Sequence, residues 1–97
     1  MEKMLYLTFL FDIYKDLLTD KQRKYFMDYY FNDLSLSEIA DKYSVSRNAI
    51  FNQLKIIEDK LNDYEKKLKI YDKKMKIDDI IELIDNKEIK KILKSLF

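Results

Sequence analysis

The sequence lacks cysteine, histidine, glycine, proline and tryptophan altogether. Without cysteine and histidine it has no disulfide framework, no thiolate nucleophile, no imidazole base and no zinc site of the usual kind. Without glycine it has no phosphate-cradling loop and no dinucleotide-binding fingerprint. A chain with neither glycine nor proline has few ways to form tight β-turns. These absences predict an all-α fold with no catalysis and no cofactor.

The sequence also lacks an excess of charge of either sign and any long apolar run. Nineteen Lys and Arg residues face 18 Asp and Glu residues, a net charge of +1, so the strongly polarised field of a histone-like protein is excluded. No run of about 20 apolar residues occurs, so we expect no membrane insertion. The apolar N-terminus carries Glu2 beside Lys3 and has no small-residue cleavage site, which argues against a signal peptide. We therefore expect a soluble, cytoplasmic protein.

The 97 residues, 47% of them hydrophobic, suffice for one domain with its own core. Apolar residues at helical spacing predict a first helix over residues 3–18. They cover most of its girth, which favours burial on more than one side and so predicts a homodimer. Thr19 is the expected cap of a second helix ending near Asn32. Helical spacing of its aromatic residues indicates a core or an interface rather than a platform for stacked bases: Tyr25, Phe26, Tyr29 and Tyr30.

A long fourth helix is predicted from Arg47 to about Lys76, because no helix breaker occurs in that stretch. Its apolar residues step by four and three along a seven-residue repeat: Ile50, Leu54, Ile57, Leu61, Tyr64, Leu68, Tyr71 and Met75. Such a seam fits either a two-chain coiled coil, joining the dimer through this helix and the first, or packing of the first helix within the monomer. We expect a helix-turn-helix domain over 1–76 and a C-terminal helical extension of it over 77–97.

The extension contains two isoleucine-rich stripes separated by Asp85 and Asn86. The stripes are Ile77, Ile80, Ile81 and Ile84, then Ile89, Ile92, Leu93 and Leu96. Asp85 with Glu88 has the spacing of a capping box for the second piece. The acidic group of Asp78, Asp79 and Glu82 has too few oxygen ligands to form a metal site.

The segment from Leu36 to Ile50 has the layout of a helix-turn-helix. Ser35 and Glu38 have the spacing of a capping box, which predicts a short third helix ending near Tyr43. The other features of the motif follow in order: Ala40 as the small contact residue, Tyr43 and Val45 as inward residues flanking the turn, Ser46 as the cap of the next helix, and Ile50 as its anchor.

The second helix of this motif would present outward side chains to a major groove. The predicted contact residues are Arg47, Asn48, Phe51, Asn52 and Lys55. Arginine pairs with guanine and asparagine with adenine in bidentate fashion. No acid lies between Ser46 and Ile57, so this face does not repel phosphates. The alternative is that Arg47 and Lys55 are ordinary solvated charges on a scaffold helix.

A denser basic patch lies further along the chain. It comprises Lys66, Lys67, Lys69, Lys73, Lys74 and Lys76. Residues 1–63 carry nine basic and eleven acidic groups, whereas residues 64–97 carry ten basic and seven acidic groups. Clustered lysines can follow a DNA or RNA backbone without reading its sequence. The alternative is the solvated outer face of a long helix.

Residues 5–68 resemble the YlxM family, a group of small bacterial helix-turn-helix proteins. The matching pieces are Leu10–Thr19, Lys21–Arg23, Tyr29–Tyr30, Leu36–Ala40, Val45–Arg47 and Asp63–Leu68. The same core is similar to the DNA-binding region four of sigma factors (sigma-70 region 4). The resemblance implies a regulatory role in the signal recognition particle pathway, with the particle's RNA or its GTPase as partner. Related proteins often carry glycine at the turn where this chain has Ser44, so we expect a modified turn or a less comfortable backbone there.

Two functions are therefore predicted. The first is a nucleic-acid-binding, regulatory protein whose DNA or RNA contacts come from the helix-turn-helix. The alternative is a protein–protein interaction module in which the helix-turn-helix is only architecture, favoured by the near-neutral charge and the excess of apolar helix surface. Phosphate-based binding falls steeply with salt, whereas binding through apolar surface does not.

Overall fold

The computed structural model describes residues 2–96 and forms six α-helices, with no strand among those residues. The helices are α1 (Lys3–Tyr14), α2 (Asp20–Tyr30), α3 (Leu36–Tyr43), α4 (Arg47–Leu68), α5 (Ile70–Glu82) and α6 (Lys87–Lys94). The predicted all-α fold is confirmed. Met1 and Phe97, which belong to the predicted segments 1–76 and 77–97, lie outside the described residues.

The first helix lies where it was predicted but ends earlier. After Tyr14 the chain tightens into a 3₁₀ turn over Lys15–Leu17. The Arg23 guanidinium donates hydrogen bonds to the carbonyls of Lys15 at 3.0 Å and Leu18 at 2.7 Å. A cation at these carbonyls complements the negative end of the helix dipole.

Three predicted N-caps are confirmed by their hydrogen bonds. The Thr19 hydroxyl accepts from the Gln22 N–H at 3.1 Å, and the Ser46 hydroxyl accepts from the Ala49 N–H at 3.0 Å. Ser35 forms a complete capping box: its hydroxyl accepts from the Glu38 N–H at 3.1 Å, and its own N–H donates to the Glu38 carboxylate at 3.0 Å. Each cap satisfies N–H groups that a helix start leaves unpaired.

The core lies where α1, α2 and α3 pack against α4. Ile50, Ile57 and Leu61 of α4 are 0% exposed and share one cluster with Leu10 of α1 and Phe26 of α2. The first part of the predicted apolar seam, Ile50, Leu54, Ile57 and Leu61, is therefore filled within one chain, as expected for packing of the first helix within the monomer. Further along the repeat, Leu68 and Met75 are 45% and 41% exposed.

The aromatic residues of α2 belong to this core, as their spacing predicted. Tyr25 and Phe26 are buried, while Tyr29 and Tyr30 are half-buried against the same cluster. The rings of Phe26 and Phe11 stack with their centroids 4.3 Å apart. The stacked rings join α2 to α1. Tyr25 and Phe26 are too buried to stack with unpaired bases.

The predicted single helix from Arg47 to Lys76 is wrong. It breaks at Lys69, whose backbone is left-handed at φ 55° and ψ 33°, and α5 starts at the next residue. The left-handed conformation is unfavourable for a residue with a Cβ, so glycine usually occupies such a position. Because this position holds lysine, the sequence gives no sign of the break. After the break Tyr71 reaches α1, where its ring lies 5.4 Å from that of Tyr6 and 6.0 Å from that of Phe9. The apolar repeat continues past the break because its residues up to Leu68 belong to α4 and those from Tyr71 onward belong to α5.

A buried carboxylate holds the start of α5 in place. Glu65, 8% exposed, accepts hydrogen bonds from the N–H groups of Tyr71 at 2.9 Å and Asp72 at 3.1 Å. It also accepts from the hydroxyl of Tyr14 at 2.6 Å, and that hydroxyl in turn accepts from the Ile70 N–H at 3.2 Å. Burial, with the hydrogen bond to Glu65, raises the pKa of Tyr14 to about 12. Glu65 therefore caps α5 from the preceding helix and ties it to α1.

The C-terminal helices form a thinner arm. The interruption predicted at Asp85 and Asn86 is confirmed, because it lies between α5 and α6. The expected cap is wrong: Asn86, not Asp85, caps α6. The side-chain oxygen of Asn86 accepts from the N–H groups of Glu88 at 2.9 Å and Ile89 at 3.1 Å, since it lies one residue nearer the first turn. Ile81 is the buried residue of α5.

The molecule measures 54 × 25 × 24 Å. Among residues 2–96 no helix is long and apolar enough to span a bilayer.

Candidate nucleic-acid interface

Helices α3 and α4 cross over small and apolar residues at the turn. Ala40 is 4% exposed, while Ile39 and Ile50 are 0% exposed. Tyr43 and Val45 are half-buried against the core on either side of the turn. The places predicted for Ala40, Tyr43, Val45 and Ile50 are thus confirmed. A small residue and apolar plugs let the two helices approach closely and fix their crossing.

The turn itself is a left-handed helix C-cap built on serine. Ser44 has φ 56° and ψ 45°, so this chain adopts with a Cβ the conformation that glycine favours. The Ser44 N–H donates to the Asp41 carbonyl at 3.3 Å, and the Val45 N–H donates to the Ala40 carbonyl at 3.0 Å. These two bonds are those of a Schellman motif. The expectation of a less comfortable backbone at Ser44 is confirmed, while the turn geometry is preserved.

The five predicted contact residues lie together on the outer face of α4. Arg47, Asn48, Phe51, Asn52 and Lys55 are all exposed. At about 100° per residue they fall within an arc of about 140°, beside the separate arc of about 60° that holds the buried residues Ile50, Leu54 and Ile57. Phe51 is 53% exposed and adds an apolar ring to this face. The face is thus free to meet a ligand.

The charge on this face favours an anion. The first turn of α4 carries no acidic residue, and α4 has no acid before Glu58. Glu58 is engaged by the Lys3 ammonium at 2.8 Å. The free N–H groups at the start of α4 add the partial positive charge of a helix N-terminus close to Arg47. Two cations and a helix terminus therefore share one side of the motif.

A buried aspartate in α2 holds the end of α3 in place. Asp28, 3% exposed, accepts a hydrogen bond from the Tyr43 hydroxyl at 2.7 Å and is paired with the Lys42 ammonium at 3.1 Å. The side-chain amide of Asn32 donates to it at 3.0 Å. Burial alone would raise the pKa of Asp28, but the hydrogen bonds from Tyr43, Asn32 and Lys42 outweigh it and lower that pKa. Asp28 therefore fixes the turn relative to α2.

Sequence reasoning missed Asp28 and Glu65, which position the motif and the arm. Each is a charged residue within an amphipathic helix and has no local signal that distinguishes it from a solvated acid. The available hint for Asp28 is its place between the core residues Tyr25 and Phe26 and the half-buried Tyr29. Both acids have hydrogen-bond partners that come from other helices, so their burial cannot be read from the local sequence.

The six lysines of the basic patch are exposed but do not line one helix. Lys66 and Lys67 belong to α4, Lys69 is the break, and Lys73, Lys74 and Lys76 belong to α5. The ammonium of Lys67 lies 2.9 Å from Asp63, and that of Lys76 lies 3.1 Å from Asp72. The patch therefore surrounds the joint between α4 and α5, with part of its charge neutralised.

No metal site is present in the part of the chain that the structure describes. Residues 2–96 contain no group of three or more acidic, histidine or cysteine side chains placed to hold an ion. The acidic group of Asp78, Asp79 and Glu82 is exposed on α5.

The crossed helices, the capped turn and the exposed face of α4 define a helix-turn-helix protein. A family model described as "Putative helix-turn-helix protein, YlxM / p13 like" matches residues 1–96, and the chain belongs to this family, UPF0122. A UPF0122 protein of Shouchella clausii is 48% identical over 64 residues, which cover 66% of this chain and 59% of the relative. Proteins of Halalkalibacterium halodurans and Bacillus cereus strain AH187 are each 47% identical over 64 residues, covering 59% and 58% of their lengths. The chain thus aligns with less than two thirds of each relative.

Proposed function

We propose that this protein is a cytoplasmic, regulatory nucleic-acid-binding protein and that the outer face of α4 makes the contacts. The observation that carries the proposal is the exposed, acid-free face formed by Arg47, Asn48, Phe51, Asn52 and Lys55 at the start of the helix that follows the turn. The helix-turn-helix family supports a binding role rather than catalysis.

The proposed contacts divide by chemistry. Arg47 and Lys55 neutralise phosphates or pair with guanine, and Asn48 and Asn52 offer bidentate pairing to adenine. Phe51 supplies an apolar surface for a thymine methyl group or for the face of an unstacked base. Ser46 and the first N–H groups of α4 can contact a phosphate directly.

We propose a homodimer joined through exposed apolar side chains of α1 and α5, since the seam of α4 from Ile50 to Leu61 is filled. Leu5 and Phe9 on α1 are 48% and 39% exposed, and Met75 on α5 is 41% exposed. A two-fold dimer would present two copies of α4 to a symmetric site.

The basic patch is proposed as a second, non-specific contact to the nucleic-acid backbone. Lys66, Lys69 and Lys73 add attraction that depends on salt, while the carboxylates beside Lys67 and Lys76 reduce the contribution of those two lysines.

For the identity of the partner we propose DNA or the RNA of the signal recognition particle, as the YlxM resemblance implies, with the particle's GTPase as a protein partner of the same complex. The second candidate function is a protein–protein interaction module, favoured by the exposure of Phe51 and of Ile56, which is 43% exposed, on α4. Salt separates the two functions, since phosphate contacts weaken with salt and apolar contacts do not.

The test is Arg47→Ala combined with Lys55→Ala. Loss of two phosphate or base contacts should weaken binding to duplex DNA and to the particle RNA by about tenfold or more in a fluorescence anisotropy titration. Lys90→Ala with Lys94→Ala on α6 is the matched control, because it removes the same charge from another helix. If both double variants bind as the wild type does, the assignment of α4 as the interface is wrong.

A further inference from the structure

Helix α6 has an uncovered apolar side. It contributes no buried residue to the core. Ile89 is 46% exposed, Ile92 is 63% exposed and Leu96 is 58% exposed, while Leu93 is half-buried. At about 100° per residue Ile89, Ile92 and Leu93 fall within an arc of about 100°, and Leu96 follows in the turn after the helix. Apart from the half-buried Leu93, this stripe is exposed in the monomer.

The opposite side of α6 is basic. Between Lys87 and Lys94 the helix carries Lys87, Lys90, Lys91 and Lys94 against the single acid Glu88. The four lysines occupy an arc of about 100° centred opposite the apolar stripe, while Glu88 lies outside it. Apolar and cationic groups are therefore segregated to two faces of one short helix.

We propose that α6 binds the surface of an anionic lipid bilayer. The helix lies in the plane of the interface, with Ile89, Ile92 and Leu96 entering the boundary between headgroups and acyl chains. The lysines extend their aliphatic stems along that boundary and keep their ammonium groups at the lipid phosphates. Surface binding of this kind needs no membrane-spanning helix.

The composition of α6 favours lipid over the other partners that could cover it. Contact surfaces between proteins are enriched in aromatic residues, methionine and arginine and depleted of lysine, and the described part of α6 has the reverse composition. A nucleic acid would need the lysines only and would leave the aligned apolar stripe in water. A lipid surface uses both faces at once. One short helix supports reversible binding, and the carboxylates of Asp78, Asp79 and Glu82 on α5 keep the attraction moderate.

The experiment is co-sedimentation of the full chain with vesicles. Vesicles of equal parts phosphatidylglycerol and phosphatidylcholine should retain the protein at low salt, whereas pure phosphatidylcholine should retain about tenfold less or none. Lys90→Ala with Lys94→Ala should lower retention by about tenfold, because each lysine near an anionic surface adds several-fold attraction. Ile92→Asn should lower it similarly.

Matched controls distinguish binding through α6 from non-specific adsorption of the protein to vesicles. Lys21→Ala with Lys24→Ala removes the same charge from α2, and Ile56→Asn places the same polar group at an exposed apolar position of α4. Both should leave vesicle binding unchanged, and all four variants should keep the wild-type helix content by circular dichroism. The proposal is overturned if the wild type does not bind anionic vesicles, if it binds neutral vesicles equally well, or if the α6 variants bind as the wild type does. It is also overturned if the α6 variants keep vesicle binding but lose binding to duplex DNA or to a protein partner.

Discussion

Single residues decide the geometry of the turn. Ser44 adopts a left-handed backbone that costs about 1–2 kcal/mol for a residue with a Cβ, and its neighbours maintain it through two C-cap hydrogen bonds. Glycine, which has no Cβ, adopts this backbone without that cost. The chain thus reaches the same turn without glycine, at a local energetic cost.

Replacing Ser44 with glycine should stabilise the protein. The strain relieved exceeds the extra chain entropy that glycine loses, so we expect Ser44→Gly to raise the free energy of unfolding by about 0.5–1 kcal/mol in a urea titration. Ser37→Gly, an exposed position inside α3, is the control and should lower it by about the same amount. A Ser44→Gly variant that is less stable than the wild type would contradict the proposed strain.

Asp28 should make stability depend on acid. Its pKa is lowered in the folded protein, so its contribution is complete above the ordinary value of 3.8 and is lost as the pH falls through the lower folded pKa. Asp28→Asn should cost about 1–3 kcal/mol at neutral pH, because a buried charge-assisted network is broken. It should also remove this part of the decline below pH 3.8.

The measurement for Asp28 is urea unfolding at neutral and at acid pH. Asp16→Asn, at an exposed position of the 3₁₀ turn, is the control and should leave both values close to those of the wild type. If Asp28→Asn had no larger effect than this control, the network at the end of α3 would not be what fixes the turn.

At the scale of elements, local signals predicted most helix starts and the apolar repeat predicted the core face of α4. Thr19, Ser35 and Ser46 cap through hydrogen bonds within three residues, so sequence spacing suffices to locate them. The break at Lys69 could not be located in this way. It depends on Glu65 and Tyr14, which come together only after α1 packs on α4. Glu65 resembled any other acid among the lysines.

The candidate site also combines features that the sequence predicts with features that depend on tertiary contacts. The exposure of Arg47, Asn48 and Phe51 follows from helical periodicity, since the apolar repeat of α4 occupies a separate arc of the helix. The fixing of the turn by Asp28 does not follow, because its partners Lys42 and Tyr43 lie on another helix. Periodicity identifies a face, while tertiary contacts decide how rigidly it is held.

Removing the Glu65 carboxylate should loosen the start of α5. Glu65→Ala leaves the N–H groups of Tyr71 and Asp72, and the hydroxyl of Tyr14, without their acceptor, so we expect a loss of about 1–3 kcal/mol. Amide hydrogen exchange in α5 should accelerate relative to α4. Asp63→Ala, two residues earlier and exposed, removes only a surface ion pair and should change exchange little. Equal protection of α5 in both variants would contradict the role of Glu65.

At the scale of the whole molecule, the exposed apolar side chains of α1 bear on assembly. Sedimentation should find a dimer at high micromolar concentration, and Leu5→Glu should shift it to a monomer because it places a charge in the proposed contact. Leu83→Glu, at a position that is 85% exposed and outside that contact, should leave the dimer intact. A wild-type monomer at that concentration would contradict the proposed dimer.

The central claim is that the acid-free face of α4 binds nucleic acid through its phosphates and bases. It is tested most directly by titrating the protein with duplex DNA and with the particle RNA at low and high salt. Two cations per protomer predict that log K falls with log salt with a slope of about −1.8 or steeper, and that Arg47→Ala with Lys55→Ala flattens it by about that amount. Absence of binding to either nucleic acid, or binding unchanged by salt, would contradict the account.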